Sequence, residues 1–278
     1  MVYSRAYVEI TNLCNMNCSF CHGHGRETRR MTKEEFLRVL DQLSGVTRYL
    51  YYHLMGESLT HPELPAFLKM AKERGFYSAI TTNGTLLKAR GEELLSAGLY
   101  KVSVSLHSFE GESAEAHLSY LSSVADFAER AAGVGVIVAL RLWNRGVDDG
   151  KNDTVLAFLR ERLAGEWKES ARGIRIRDKL HLEWGNRFEW PDMAAPVQGE
   201  QVFCYGLRDH FGVLCDGTVV PCCLDSEGTI ALGNLFETPL EDILKSERAV
   251  AMRDGFSRRC ATEELCRRCG YAQRFSLK

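Results

Sequence analysis

Cys14-Asn15-Met16-Asn17-Cys18-Ser19-Phe20-Cys21 places three thiols within eight residues, at the spacing C-x3-C-x2-C. Cysteine thiolates are the usual ligands of iron–sulfur clusters, and a four-iron cluster normally takes four of them. No fourth cysteine is near: the next in the chain is Cys204. A cluster bound here leaves one iron without a protein ligand, and an open coordination position is where a metal centre does chemistry rather than hold a fold. The alternatives are a zinc loop, a disulfide hairpin or buried free thiols. Zinc usually takes paired C-x2-C units, so three clustered cysteines suit it poorly.

The other seven of the ten cysteines all lie beyond residue 200. Cys204 is followed after twelve residues by Gly217, and Cys222 comes after four more. Cys266-Arg267-Arg268-Cys269 adds a C-x2-C pair. Two separated cysteines and such a pair make a closed four-thiolate site. Asp216-Gly217 reads as the turn of a hairpin between residues 211–214 and 218–220, with Cys204 and Cys222 near its two ends. Cys260 is an alternative ligand, and structural zinc an alternative ion. Cys215 reads as a packed thiol of the hairpin.

These residues need elements to position them. Short apolar runs at 7–10, 48–54, 76–81, 101–106, 134–142 and 180–184 alternate with helical patterns, which argues for βα units and a parallel sheet. Thr32 and Glu35 form a capping box for a helix whose Phe36, Leu37, Leu40 and Leu43 share one face. Pro62 is expected to open the next helix. A third, over 86–97, stops at Gly98. Residues 111–132 read as a longer helix, 154–163 as one capped by Asp153, and 240–253 as one leading back to the last cysteine pair. Six βα units are too few to close an eight-stranded barrel and suit an open one. A boundary falls between Asn186 and Val202, dividing the chain into 1–190 and 201–278.

At 278 residues the chain can bury one large core and a small appendage. A net charge of -2 gives no electrostatic footprint for nucleic acid. No apolar run is long enough to span a membrane. Residues 1–9 carry Arg5 and no apolar signal core, so no secretory peptide is expected. Ten cysteines without an export signal point to metal binding in a reducing cytoplasm.

The first cysteine run, in the context Thr11-Asn12-Leu13-Cys14-Asn15, resembles the signature of the radical S-adenosylmethionine (SAM) superfamily. The resemblance implies an α/β fold: a partial (β/α)6 TIM-like barrel with a small C-terminal iron–sulfur domain of β-hairpin plus helix. It implies a 4Fe-4S cluster whose open iron is chelated by SAM, with reductive cleavage to a 5′-deoxyadenosyl radical that abstracts hydrogen from a substrate. Met55-Gly56-Glu57-Ser58 resembles the family's Gly-Gly-Glu-Pro stretch, which meets the SAM ammonium through backbone carbonyls. Met55 replaces the first glycine and is compatible if its φ is ordinary. Ser103 and Ser105, on one face of a strand, fall where relatives contact the SAM carboxylate or ribose. Arg141 suits that carboxylate, a structural ion pair being the alternative. Asn83 and Asn144 add polar contacts, and Phe20 an adenine wall. His53 and His107 are expected to line the pocket. His22 and His24 read as a polar loop, and Arg26, Arg29 and Arg30 as a solvated face.

The C-terminal pattern resembles the SPASM/twitch class. It has too few cysteines for two auxiliary clusters and implies one more 4Fe-4S cluster, on Cys204, Cys222, Cys266 and Cys269. Cys223, beside a ligand, is a candidate hydrogen donor, with a buried small hydrophobe as the alternative, and Asp225 is a candidate substrate contact or base. The expected activity is hydrogen abstraction with net oxidation, by dehydrogenation or cross-linking. Epimerisation with Cys223 as donor, a non-enzymatic two-cluster electron carrier and a zinc-stabilised binding module are the alternatives. Expected partners are a peptide or small-molecule substrate and a flavodoxin or ferredoxin-type reductant, with neither nucleic acid nor membrane. The first strand begins too early to leave room for an amino-terminal peptide-recognition domain, so a peptide substrate would need a separate recognition protein.

Overall fold

The computed structural model of the protein describes residues 2–110, 113–148, 150–199 and 201–275. The expected helix start at Gly111 and the last residues of the expected second unit lie outside these. In chain order the elements are β1 (Arg5–Val8), α1 (Lys33–Leu43), β2 (Tyr49–Tyr52), α2 (Leu64–Glu73), β3 (Tyr77–Thr82), α3 (Leu87–Ser96), β4 (Lys101–Ser105), α4 (Ala114–Gly133), β5 (Ile137–Arg145) and α5 (Lys151–Arg162). Then come β6 (Lys168–Ser170), β7 (Gly173–Arg177), β8 (Leu180–Asn186), β9 (His210–Val213), β10 (Thr218–Val220), β11 (Gly233–Asn234), α6 (Leu240–Lys245), α7 (Glu247–Ser257) and α8 (Glu264–Arg267).

One sheet runs β11-β10-β9-β1-β2-β3-β4-β5-β8-β7-β6. Strands β1 to β5 and β8 are parallel neighbours, the open barrel that six βα-type units were expected to make. Local chemistry sets the helices between them. The Thr32 side chain accepts from the Glu35 amide and the Glu35 carboxylate from the Thr32 amide, so the capping box is complete. From α1, Phe36, Val39, Leu40 and Leu43 are buried, and the Phe36 ring stacks on Phe67 of α2 at 4.2 Å. Gly98 ends α3 with φ +87°, a conformation side-chain-bearing residues rarely adopt.

Several boundaries differ from expectation. Pro62 lies in the turn before α2, and Pro65 takes the first-turn position. Asp153 falls inside the first turn of α5, where a carboxylate favours the helix dipole, and Gly150 is the N-cap. Strand β5 begins only at Ile137, because residues 134–136 turn the chain out of α4. The expected helix over 240–253 is two helices: Ser246 ends α6, and its hydroxyl caps α7 through the Ala249 amide. The hairpin β6–β7 was not foreseen. The largest difference is at the other edge, where β9 lies parallel to β1 with Arg5 opposite His210 and Val8 opposite Val213. The C-terminal hairpin therefore continues the barrel's sheet and brings its cysteines to the same end as the first cysteine loop. Among the described residues no helix is long and apolar enough to cross a membrane.

Candidate functional site

The first cysteine loop is closed at its base. Thr11 forms an isolated antiparallel bridge with Arg30. The Asn12 side chain donates to the Glu27 carbonyl at 2.8 Å and accepts from the Arg29 amide at 2.8 Å. His24 contributes Nε2 to the Asn12 carbonyl at 3.0 Å, a bracing role. Beneath the loop, Glu9 is fully buried. Its carboxylate accepts from Arg26 at 2.8 Å, from the Met55 amide at 3.1 Å and from the Cys215 amide at 3.3 Å. Arg26 also donates to the Ser226 carbonyl at 2.7 Å, and Arg29 pairs with Glu35 at 2.6 Å. These two arginines are corrections to the solvated-face reading: each has an acidic partner, and Arg26 is folded inward between the two cysteine regions.

The strand ends meet this loop. Gly56 has φ +76°, and a Cβ there would lie 2.6 Å from the Thr11 carbonyl and 2.8 Å from that of Leu13. Met55 keeps a negative φ, as the expected substitution for glycine requires. The Glu57 carboxylate turns back into the fold, accepting from the Leu59 amide at 3.0 Å and the Asn83 amide at 2.7 Å. That leaves the turn's backbone to face the cavity. The Asn83 side chain donates to Asn15 at 2.9 Å and accepts from Thr85, so it holds the cysteine loop. Ser105 lines the cavity, whereas Ser103 is buried below it and does not. Arg141 lines it too, already paired with Glu183 at 3.3 Å. Phe20 lies against His107, ring centres 4.9 Å apart, and both line the cavity. Asn144 also lines it, bonded to Asn152 at 3.0 Å. Replacing Gly56 by alanine adds a side chain in a left-handed conformation against backbone atoms that cannot yield. If this turn meets SAM as the sequence resemblance implies, affinity for SAM should fall at least about tenfold, read by equilibrium dialysis.

The C-terminal thiols form a second group. Cys204 and Cys222 flank Gly206: its amide donates to the Cys204 sulfur at 3.3 Å, and a Cβ built on it would lie 3.8 Å from Cys222 Cβ. Burial pushes the Cys222 and Cys266 thiols up, with Cys204 and Cys269 acting on both in the same direction. Cys204 is pushed up to about 11, chiefly by burial. Cys260 is exposed and pairs its backbone with Gln201, apart from this group. Cys215 is buried beside Arg26, as a packed thiol. Asp225 is a correction. Both its oxygens are taken by the Thr229 and Ile230 amides at 2.8 Å, and it does not line the cavity. Cys223 does line it, packed against Tyr7, Leu54, Leu214 and Val220, with the Tyr7 hydroxyl facing its thiol. Burial pushes its thiol up to about 11.

Both thiol groups open onto one cavity of about 1380 Å3. Cys14, Cys18 and Cys21 lie on one wall, with Cys204, Cys222, Cys223 and Cys269 on another. Among the described residues no three His, Cys, Asp or Glu side chains close on a single ion; a four-iron cluster puts each thiolate on a different iron. The donor chemistry fits such groups. Amides of Met16 and Asn15 point at the Cys14 sulfur, and those of Ala272 and Tyr271 at Cys269, each favouring the thiolate that burial disfavours. Cys18, pushed up to about 12 mainly by burial, becomes a thiolate only with a compensating positive centre. Several cavity residues escaped sequence reasoning, among them Trp190, Tyr7 and Lys101. Trp190, from the expected boundary segment, donates to the Phe20 carbonyl at 3.1 Å and roofs the loop. Tyr7 and Lys101 face inward from β1 and β4. Their position on strand faces aligned with Ser103 and Ser105 was the available signal.

Residues 8–143 match the family model described as the Radical SAM superfamily, and residues 204–270 match an iron–sulfur cluster-binding domain, SPASM. The AdoMet-dependent heme synthase of Methanosarcina barkeri is 29% identical over 133 residues, 46% of this chain and 37% of that protein, so the match spans little more than a third of its length. The probable GTP 3′,8-cyclase of Methanocella arvoryzae is 28% identical over an alignment covering 93% of each chain. Among solved structures, BtrN in complex with AdoMet and 2-DOIA shares the fold with a TM-score of 0.64 at 18% identity, over 97% of this chain and 93% of that one.

Proposed function

We propose that this chain, which is a radical SAM enzyme with a SPASM-type iron–sulfur domain, oxidises a substrate C–H bond in a chamber walled by its two sets of cluster ligands. As an enzyme of this superfamily it is neither a simple electron carrier nor a zinc-stabilised module. Cys14, Cys18 and Cys21 would hold the SAM-binding 4Fe-4S cluster, and Cys204, Cys222, Cys266 and Cys269 the auxiliary one. When bound, the first cluster with SAM supplies a hydrogen-abstracting 5′-deoxyadenosyl radical and the second an electron acceptor. The protein's own part is positioning and shielding. The Met55–Glu57 turn presents backbone to the cofactor, Phe20 and Ser105 flank its place, and Trp190 closes the loop from above.

The observation that carries the reading is the continuity of the cavity between the two thiol groups. A substrate held there lies between the site of hydrogen abstraction and an electron sink, which favours net loss of two hydrogens. Reductant reach is supported by the exposure of Cys14 and Cys21, and a flavodoxin or ferredoxin-type protein suits it. Seven of the ten cysteines are assigned to clusters that need reduced thiolates, which supports a reducing cytoplasm as its place. Its substrate is a peptide or a small molecule. The test is anaerobic reconstitution with dithionite and SAM, then mass spectrometry of a candidate substrate pool. A product lighter by two hydrogens, formed with 5′-deoxyadenosine, supports oxidation; a product of unchanged oxidation level counts against it.

A second reading has its own observation: the Cys223 thiol lines the chamber with the Tyr7 hydroxyl facing it. A thiol there can return a hydrogen atom to a substrate radical, giving epimerisation. In heavy water the epimerised product then gains one deuterium. Replacing Cys223 by alanine should abolish that incorporation while 5′-deoxyadenosine still forms; deuterium uptake unchanged in this variant rules the donor out.

A further inference from the structure

Away from both thiol groups, the cavity descends into the barrel, and its charge there is unbalanced. Arg5, Lys101, Arg141 and Arg172 line this part, against Asp209 and Glu183. Asp209 is bound to Arg5 at 3.1 Å and Glu183 to Arg141 at 3.3 Å. Among the described residues, neither Lys101 nor Arg172 has a carboxylate within ion-pair distance. Lys101 is half-buried. Burial lowers its pKa, Glu183 opposes that, and Arg141, Arg172 and Arg5 add to it. Glu183 is already committed to Arg141, so an ammonium half-buried among other cations is costly to hold, and such a group wants an anion.

His53 stands at the centre of these charges. Burial, then Arg141, Arg5 and Lys101, push its pKa down to about 3, so the ring is neutral. Its Nδ1 is buried and has no hydrogen-bond partner. Its ring packs edge-on against Tyr7 at 5.1 Å. The register makes Tyr7, Tyr51, Ala79 and Lys101 one cross-strand row. Lys101 thus lies three strands from Tyr7, roughly 14 Å along the sheet at normal strand spacing. A molecule seated at Lys101 can reach past His53 and Tyr7 to the Cys223 wall.

We propose that Lys101 and Arg172, with the His53 ring between Lys101 and Tyr7, form the seat for an oxyanion of the substrate, a carboxylate or a phosphate, with half-buried Lys101 at its floor and exposed Arg172 at its rim. The inference rests on the cavity being the substrate chamber. Anchoring the anion there fixes which carbon is presented beneath the cofactor, at the opposite end of the cavity. The substrate class is therefore anionic, and a neutral analogue lacking the oxyanion should bind at least tenfold less well.

The test is calorimetric titration of the reconstituted holoenzyme, saturated with SAM, using inorganic phosphate and acetate as separate probes. The expected result is one saturable site per chain for at least one probe, and the preferred probe tells phosphate from carboxylate. Lys101→Met should weaken that binding at least tenfold, Lys101→Arg should keep it, and SAM affinity should stay within twofold. Should Lys101→Met fail to fold or to load iron, Arg172→Gln, at an exposed position, reads the same site with at least a threefold loss. Three outcomes overturn the proposal: neither probe saturates, the readable variant binds both as the parent does, or SAM binding falls by the same factor as anion binding, which would make the anion the cofactor's own. No turnover is needed, so a failed search for an oxidised product leaves this result readable.

Discussion

Replacing Cys18 by alanine should reduce 5′-deoxyadenosine formation to the uncatalysed background and remove about four of about eight irons per chain. Cys18 sits deepest of the three loop cysteines, its sulfur 3.5 Å from the Ser108 carbonyl, while Cys14 and Cys21 are exposed. Burial holds the free thiol protonated, and beyond the weak contact to Ser108 it makes no hydrogen bond that holds the loop. The fold should survive, because the loop is fixed by Asn12, Glu9 and Asn83 rather than by its sulfurs. Replacing Cys222 should give the converse pattern. About four irons are again lost, but SAM cleavage persists, uncoupled from substrate oxidation. Cys260→Ala should leave the iron content at its parent value, since that thiol is exposed and does not line the cavity. Iron and sulfide analysis beside 5′-deoxyadenosine quantification separates the three. Loss of all iron in Cys18→Ala, or none in Cys222→Ala, would contradict the assignment of two independent sites.

Much of this arrangement was legible because chemistry and local geometry coincide in short stretches. The Thr32–Glu35 capping box, the stop at Gly98 and the turn at Asp216-Gly217 depend on neighbours in sequence, and each formed as expected. The cysteine spacings were equally local. What stayed hidden depends on partners far along the chain. Nothing in residues 210–213 announces a parallel pairing with β1, since an edge strand's neighbour is chosen by the whole sheet. The hairpin β6–β7 escaped because its Lys168–Ser170 strand is exposed throughout and carries no hydrophobic alternation. Asp225 looked like a free carboxylate beside a ligand. Its oxygens are consumed by a turn closing four and five residues later, a competition in which Asp side chains excel. Arg26 looked solvated because its acid lies 17 residues away, yet Glu9, a lone charge in the run Tyr7-Val8-Glu9-Ile10, was a visible sign that a buried partner had to exist.

That buried pair is also where the second large effect is expected. Glu9 has no exposed surface, and the Arg26 side chain is 13% exposed. The one carboxylate joins three segments: the cysteine loop through Arg26, the turn at the end of β2 through the Met55 amide, and the C-terminal hairpin through the Cys215 amide. Replacing Glu9 by alanine leaves the Arg26 guanidinium without its anion and two amides without their acceptor, at a site with little solvent access. Breaking a buried pair from one side costs about 3–5 kcal/mol, which for a chain of this size lowers the thermal midpoint by roughly 6–10 °C. Arg26→Ala should cost less, because the carboxylate keeps both amide donors. The double replacement should be less than additive, for residues sharing one network couple. Thermal scans of the three variants, run at one rate and with equal iron loading, measure this directly. Since the lost carboxylate holds the two cysteine regions in register, Glu9→Ala should also cleave SAM with less of the cleavage passing to substrate. A midpoint within 2 °C of the parent would mean that the sheet pairing between β1 and β9 alone sets the distance between the two thiol groups, and that Glu9 and Arg26 merely satisfy each other.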